Sequence, residues 1–423
     1  MIKKIVKKLI PHFLLDFYYW LWALAGALFF AFPSRKLIVI GVTGTSGKST
    51  TVDFITRILE ENGERVASLS SIRFKIADEE KKNNLKMTMP GRLRIQQFLC
   101  QAVCKNCKYA VLEVTSEGIR QFRHKFINFD TVVFNNLSPE HIESHGGFEN
   151  YRNEKLKLFH AAKNVHVINV DDENAKYFLE TPAKEKVIFS FENPNDETPI
   201  SKQYPNENFK IISAKKNSDL EFEVENIKIN LNVLGNFNQH NALAAISVAQ
   251  HYGVSLEICK KALEKVSAIP GRMEVVARDP FLVVVDYAHT PEQLKQVYQS
   301  LGGKNLVCVL GSCGGGRDKW KRPVLGTIAG EYCKEIIITN EDPYDEDPLE
   351  IMEQVASQIE EGREYHIVID RKEAIKKALE LAKPEDTVII TGKGSEPLMC
   401  LAGGKKIPWS DREIVKEELL KLK

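Results

Sequence analysis

The passage that most constrains the fold is Gly41-Val-Thr-Gly-Thr-Ser-Gly-Lys-Ser-Thr50, which continues a short β-branched run at Leu37–Val42 and leads into a helical pattern. A strand that ends in a Gly-rich turn and restarts as a helix aims backbone N–H groups and a helix N-terminus at one point, which suits phosphate. The spacing is not that of the common phosphate loop, because the position five before Gly47 is Val42, with Gly41 and Gly44 on either side. The physics does not depend on that position. Gly44, Thr45, Ser46 and Gly47 are expected to turn their amides toward phosphate, and Lys48 to meet the β- and γ-phosphates. The hydroxyl of Ser49 or Thr50 is expected to bind Mg²⁺.

The rest of the chain alternates in the same way. Strands are expected at Tyr109–Val114, Thr131–Phe134, Val165–Val170 and Lys186–Phe191, with helices after Gly47 and from Arg92 to Val103. That alternation implies an α/β fold, a mostly parallel sheet covered by helices. LEFEVENIKINLNVL, from Leu220 to Leu234, reads instead as an antiparallel hairpin, followed by helices at Asn238–Tyr252 and Leu256–Val266. The pattern restarts with strands at Phe281–Asp286, Leu306–Leu310, Glu335–Thr339, His366–Ile369 and Thr387–Ile390, and helices at Pro348–Glu360 and Arg371–Leu381. This second run predicts a smaller, Rossmann-like α/β domain. Pro270 and Gly271 interrupt both patterns, so the expected domains are 36–270 and 271–423, preceded by a segment at 1–35. Glu192–Glu207 reads as a surface loop.

The leading segment is different in kind. Ile2, Ile5, Val6, Leu9, Ile10, Phe13, Leu14 and Phe17 recur at helical spacing opposite Lys3, Lys4, Lys7 and Lys8, and in Phe13–Phe32 the only charge is Asp16. A single span would hold the Lys cluster in the cytoplasm and put the phosphate loop on the other side, away from nucleoside triphosphate. Two readings stay open: a segment lying in the membrane interface through residues 1–32, or a hydrophobic hairpin packed on the enzyme or on a second copy. The expected location is cytoplasmic, at the inner membrane face under the first reading. Lys and Arg number 58 against 57 Asp and Glu, so no global field attracts nucleic acid. Among eight cysteines the only close pair is Cys104 and Cys107, too few for a zinc site, and reduced thiols are expected.

Further motifs follow the loop in order: Glu113-Val-Thr-Ser-Glu-Gly118, Asn136-Leu-Ser-Pro-Glu-His141 with His145-Gly146, Tyr151-Arg-Asn-Glu-Lys155, and Asn238-Gln-His-Asn-Ala-Leu-Ala-Ala245. After the Pro–Gly break come Gly271-Arg-Met-Glu274, Asp286-Tyr-Ala-His289, Gly314-Gly-Gly-Arg-Asp-Lys319 with Lys321-Arg-Pro323, and Gly392-Lys-Gly-Ser-Glu396. Across residues 36–423 this series resembles the Mur ligase family, ATP-dependent enzymes that add amino acids to the peptidoglycan precursor. The resemblance implies that Lys48, Lys155, Arg272 and His141 are catalytic. It implies ATP contacts at Gly44–Thr50, Asn238, Asn241, Arg272, Asp286 and His289. Two Mg²⁺ ions are implied on Ser49, Glu113, His141 and Lys155, the last once carbamylated. A substrate carboxylate would take the γ-phosphate of ATP, and an amino acid's amine would then displace phosphate to form the amide. Lys48, Arg272 and the ions would stabilise the charge that builds on the phosphoryl oxygens.

Thr88-Met-Pro90, Leu93, Gln96-Gln97, Asp370-Arg371 and Trp409-Ser-Asp-Arg412 are most similar to the branch that adds the third residue to a muramoyl-L-Ala-D-Glu precursor. Substrate contacts are then expected from Thr88, Met89, Pro90, Thr115, Ser116, Arg123, Asp342, Pro343, Tyr344, Gly394 and Glu396, with the muramoyl peptide and a free amino acid as partners. The chain departs from that branch at several points. Only about 35 residues precede the first strand, where the family carries a uridine-nucleotide domain. Glu341-Asp-Pro-Tyr344 lacks the Arg with which diaminopimelate enzymes grip the distal carboxylate, and Glu117 and Ser395 stand where His is usual. A lipid-linked or otherwise altered acceptor, a folylpolyglutamate- or cyanophycin-type ligase, and a non-catalytic ATP-binding scaffold are the competing readings.

Overall fold

The computed structural model describes residues 11–192, 209–303 and 305–422. Two sheets organise it. The larger draws on β1 (Ile38–Thr43), β2 (Val66–Leu69), β3 (Arg73–Ile76), β4 (Glu79–Lys82), β5 (Tyr109–Glu113), β6 (Phe129–Phe134), β7 (Val165–Asn169), β8 (Glu185–Phe191), β9 (Phe209–Lys216), β10 (Glu221–Val224) and β11 (Ile227–Asn230). Their spatial order is β11-β10-β9-β8-β7-β6-β1-β5-β2-β3-β4. The centre, from β9 to β2, is parallel, and the outer pairs at each edge are antiparallel. Strands β1 and β5 are apolar nearly throughout because both of their faces are covered. The expected hairpin at 220–234 is β10–β11, turned by Glu225 and Asn226, both at positive φ as a tight primed turn requires. The β3–β4 hairpin was not foreseen, since Arg73–Lys82 is rich in charge and lies at the exposed edge.

Helix α1 (His12–Phe29) packs on α3 (Arg92–Cys104), while α2 (Lys48–Glu61) leads from the Gly-rich loop and α4 (Phe148–Ala161) precedes β7. Helices α5 (Phe237–His251) and α6 (Leu256–Glu264) cover α2. The smaller sheet runs β12-β13-β17-β14-β15-β16, from β12 (Glu274–Ala277), β13 (Leu282–Val285), β14 (Leu306–Leu310), β15 (Cys333–Thr339), β16 (His366–Val368) and β17 (Thr387–Ile390). All its pairings are parallel except β12–β13, and helices α7 (Pro291–Ser300), α8 (Lys321–Tyr332), α9 (Pro348–Ala356), α10 (Arg371–Leu381) and α11 (Asp411–Leu422) flank it. Each face of each sheet carries its own apolar core.

One expectation about the chain's chemistry, that its thiols are all reduced, changes. Cys308 on β14 and Cys333 on β15 form a disulfide, with Cα atoms 6.0 Å apart. Strand pairing creates that proximity across 25 positions of sequence, so cysteine spacing alone could not reveal it; the other six cysteines are free. Of the N-terminal segment, residues 1–10 lie outside the described residues, as does 193–207 of the expected surface loop. Among the described residues no helix is long and apolar enough to cross a membrane. One stripe of α1, Tyr19, Ala23 and Ala27, is buried, and an added Cβ on Gly26 would lie 3.3 Å from Leu93 Cα. Arg92 stacks on Tyr19 at 4.0 Å and Trp20 meets Phe126 edge-on. The opposite face leaves Phe13, Phe17, Tyr18, Trp22 and Phe29 exposed.

Candidate functional site

The Gly-rich turn sits where β1 gives way to α2, between the C-terminal ends of β5 and β6. Gly47 caps α2 at φ +76°, and a Cβ there would lie 2.1 Å from Asn241 Oδ1, so only glycine fits the turn. Asn136 clamps the loop: its Oδ1 accepts from the Thr45 amide at 3.1 Å and the Ser46 amide at 2.9 Å. Lys48 Nζ donates to the carbonyls of Gly44 (3.0 Å) and Thr45 (2.8 Å), and Lys155 Nζ reaches the same Gly44 carbonyl at 2.7 Å. Lys155 is 1% exposed. Burial, and then the neighbouring Lys48 charge, push its ammonium well below the usual lysine range.

Glu113 ends β5, where the parallel strand delivers its carboxylate to the loop. Its Oε2 accepts from Ser49 Oγ and from the Ser71 amide, both at 2.8 Å. Across the cavity Glu140 Oε1 lies 2.9 Å from His289 Nε2 and 3.5 Å from His141 Nε2. His141 and Glu140 belong to the segment after β6, and His289 to the segment after β13, so this contact joins the units of the two sheets. Arg272 adds another, donating to Ser71 Oγ at 3.3 Å while its guanidinium stacks 4.3 Å above the Tyr287 ring. A third comes from Asp318, whose carboxylate accepts the amides of Ile142 and Glu143, both at 3.1 Å.

These groups line one cavity of about 510 Å³, in which Thr45–Ser49, Glu113, Glu140, His141 and Lys155 face Arg272, Tyr287, His289, Asp342, Tyr344 and Glu396. Thr88, Met89, Thr115, Ser116 and Arg123 also line it, as do Glu117 and Ser395. A second cavity of about 240 Å³ opens beside the loop and is lined by Gly47, Thr50, Asn135, Asn241, Arg272 and Asp286. Asp286 also anchors the loops around it, accepting from the amides of Met273 and Ala288.

Not every expected residue faces these spaces. Asn238 is 1% exposed and lies behind Asn241, accepting a hydrogen bond from its Nδ2 at 3.0 Å, so it positions that side chain and does not line the cavity. Pro90 belongs instead to a groove of about 540 Å³ between the β3–β4 hairpin and α3. Pro343 and Gly394 shape backbone: a Cβ on Gly314 would lie 2.2 Å from the Pro343 carbonyl, and one on Gly394 2.7 Å from that of Gly271. Conversely, Glu140, Asn136, Lys86 and Lys393 were not singled out. Glu140 stands inside the quoted segment Asn136–His141, but no spacing rule marks a carboxylate whose nearest partner lies 149 positions away.

The chemistry of the donor set suits Mg²⁺. Among the described residues no three His, Cys, Asp or Glu side chains converge to hold a metal ion. Glu113 and the Ser49 hydroxyl supply two hard oxygens in contact with each other, as Mg²⁺ prefers. A carboxylate on Lys155 would supply a further one, and the burial that lowers its pKa favours the free amine, the form that adds CO₂. The residues fit.

Two family models match: Mur ligase middle domain over residues 42–249, and Mur ligase, glutamate ligase domain over 271–394. UDP-N-acetylmuramoyl-L-alanyl-D-glutamate--2,6-diaminopimelate ligase from Syntrophomonas wolfei is 36% identical over 410 residues, covering 94% of this chain and 81% of the relative. A solved structure of a ligase of that name matches with TM-score 0.59 at 28% identity, over 91% of this chain and 79% of the other. Folylpolyglutamate synthase of Mycobacterium tuberculosis, at TM-score 0.68 and 16% identity over 88% of this chain and 92% of its own, shares the fold. With matches of this extent, the chain belongs to the Mur ligase family.

Proposed function

We propose that this protein is an ATP-dependent ligase that activates the terminal carboxylate of a UDP-N-acetylmuramoyl-L-Ala-D-Glu acceptor as an acyl phosphate and joins it to an amino acid. The observation that carries the reading is the single cavity that sets Lys48, Glu113 and Lys155 opposite Arg272, Asp342 and Glu396. The amides of Gly47 and Lys48 at the start of α2, with the Lys48 ammonium, hold the β- and γ-phosphates, since those of Thr45 and Ser46, expected to do so, are taken up by Asn136, and Arg272 forks onto the transferring phosphoryl group. Adenine occupies the smaller cavity beside Asn241 and Asp286. Mg²⁺, two ions on Ser49, Glu113, His141 and carbamylated Lys155, would supply charge neutralisation at the phosphates. Thr88, Met89, Thr115, Ser116 and Arg123 hold the acceptor, and Asp342, Tyr344 and Glu396 the amino acid. The division into 36–270 and 271–423 then separates acceptor and nucleotide loop from amino acid.

Tyr344 stands where a distal carboxylate would call for a guanidinium, which favours lysine or ornithine over diaminopimelate. The test is phosphate release with ATP, UDP-linked dipeptide and a panel of diaminopimelate, lysine, ornithine and neutral amino acids. Release that needs the dipeptide and one amino acid supports the reading, and ATP turnover indifferent to both sinks it.

We infer that the exposed face of α1 rests on the cytoplasmic membrane surface. Phe13 and Phe29 are 70% and 79% exposed, and four lysines precede the helix in sequence. Flotation with anionic vesicles, lost on Phe13→Ser with Phe17→Ser, tests this. Equal behaviour with neutral vesicles or with none argues for packing against another protein.

A further inference from the structure

Beyond the ligase reading, on which it rests, one lysine carries an inference of its own. Asp342 and Glu396 face the cavity from the unit of the smaller sheet, with side chains 3% and 25% exposed. Two ammonium groups satisfy them. Lys393 Nζ donates to both Asp342 oxygens at 2.9 Å, to Glu396 Oε2 at 2.7 Å and to the Leu398 carbonyl at 2.8 Å, and its side chain is 0% exposed. Lys86 Nζ, from the loop between β4 and α3, hydrogen-bonds to Asp342 Oδ2 and Glu396 Oε2 as well.

The quartet is neutral, two cations against two carboxylates. A further ammonium added to it leaves these four groups one positive charge in excess, whereas an exchange of one ammonium for another keeps them balanced. Lys393 is built in by its carbonyl bond and complete burial. Lys86 is the cation that can leave: it lines the cavity, reaches the pair from the other sheet's unit, and sits at φ +53°, a conformation its side chain disfavours. The amine that attacks the acyl phosphate must be a free base, so the ammonium that replaces Lys86 is a second, non-reacting amino group.

We propose that Lys86 is a tethered competitor for the distal ammonium of the incoming amino acid: it occupies the Asp342–Glu396 pair in the free enzyme, and a diamino acid displaces it. Lys86 is thereby a specificity-determining residue that also couples amino-acid entry to the acceptor loop, since Thr88 and Met89 lie only two and three residues beyond it. A neutral amino acid cannot pay this exchange and is rejected.

The experiment titrates L-lysine and meso-diaminopimelate, separately and without turnover, into wild type, K86M and K86R by calorimetry. A latch that is about 90% closed lowers the apparent affinity tenfold, so K86M is expected to bind at least one probe about tenfold more tightly. KM for that amino acid should fall in parallel, with KM for ATP unchanged, while K86R behaves as wild type. In wild type, the amino acid that binds should raise acylation of Lys86, read by mass spectrometry against a glycine control, and leave Lys393 protected. Equal or weaker binding by a K86M protein of unchanged melting temperature, no binding of either probe by K86M, or Lys86 labelling unmoved by the amino acid, each overturns the proposal. Failure of the ligase reading looks different: K86M gains affinity, yet no combination of acceptor and amino acid releases phosphate.

Discussion

Asp411→Ala tests the ion pair that fixes the end of β17, from which the Gly392–Glu396 loop enters the cavity. Arg371 and Asp411 have side chains 0% exposed and meet in a double contact, Nε to Oδ1 at 2.9 Å and Nη2 to Oδ2 at 2.8 Å. Arg371 Nη2 also donates to the Thr391 carbonyl at 2.7 Å, and Trp409 Nε1 to Asp411 Oδ1 at 2.8 Å. Removing the carboxylate strands a buried guanidinium and an indole donor, which costs about 3–5 kcal/mol. For a cooperative unit of about 150 residues the unfolding entropy is roughly 0.3 kcal/mol/K. The calorimetric transition of the smaller-sheet unit should therefore fall by about 10–15 °C, while that of the larger unit holds. A double variant, Arg371→Met with Asp411→Leu, removes both charges and should recover much of the loss. A fall of under about 3 °C in the single variant, or a double variant less stable than the single, would refute the claim that the stranded charge is what destabilises.

Lys48→Met should cut dipeptide-dependent phosphate release by about 10²–10³-fold, the usual cost of one preorganised charge donor; single-turnover kinetics measures it. Gly47→Ala meets Asn241 Oδ1 at 2.1 Å and carries a +76° φ, so nucleotide binding should be lost with about 1–3 kcal/mol of stability, seen by ATP titration and denaturant melts. Lys155, lowered by burial and Lys48, binds fewer protons folded than unfolded below the ordinary lysine range. Stability should hence rise with pH through that interval, and Lys155→Met should abolish that slope in melts across pH. The lowered pKa favours the free amine, so the wild type should give a ¹³C carbamate signal with labelled bicarbonate that is lost in Lys155→Met; no signal in the wild type, or one that persists in Lys155→Met, would disprove carbamylation at this site.

Much of the fold was legible because strands covered on both faces read as short apolar runs and the helices between them keep their period. Gly-rich and Pro–Gly interruptions marked the turns for the same local reason, as backbone geometry that few residues permit. The ordered motifs also named the loop lysine, Glu113, His141, Lys155 and Arg272, each of which the structure brings to one cavity. What failed to show was every feature made by contact between distant segments. The Cys308–Cys333 bond depends on β14 lying beside β15, the Glu140–His289 pair on the units of the two sheets meeting, and the burial of Asn238 on its place behind Asn241. Lys86 carries no periodicity or motif, yet its ammonium ends between two carboxylates more than 250 positions away. Local backbone preference and hydrophobic pattern are written residue by residue, so the chain by itself determined its strands, helices and phosphate turn. Which charges face each other is decided only when packing removes water between segments, and that choice belongs to the tertiary structure.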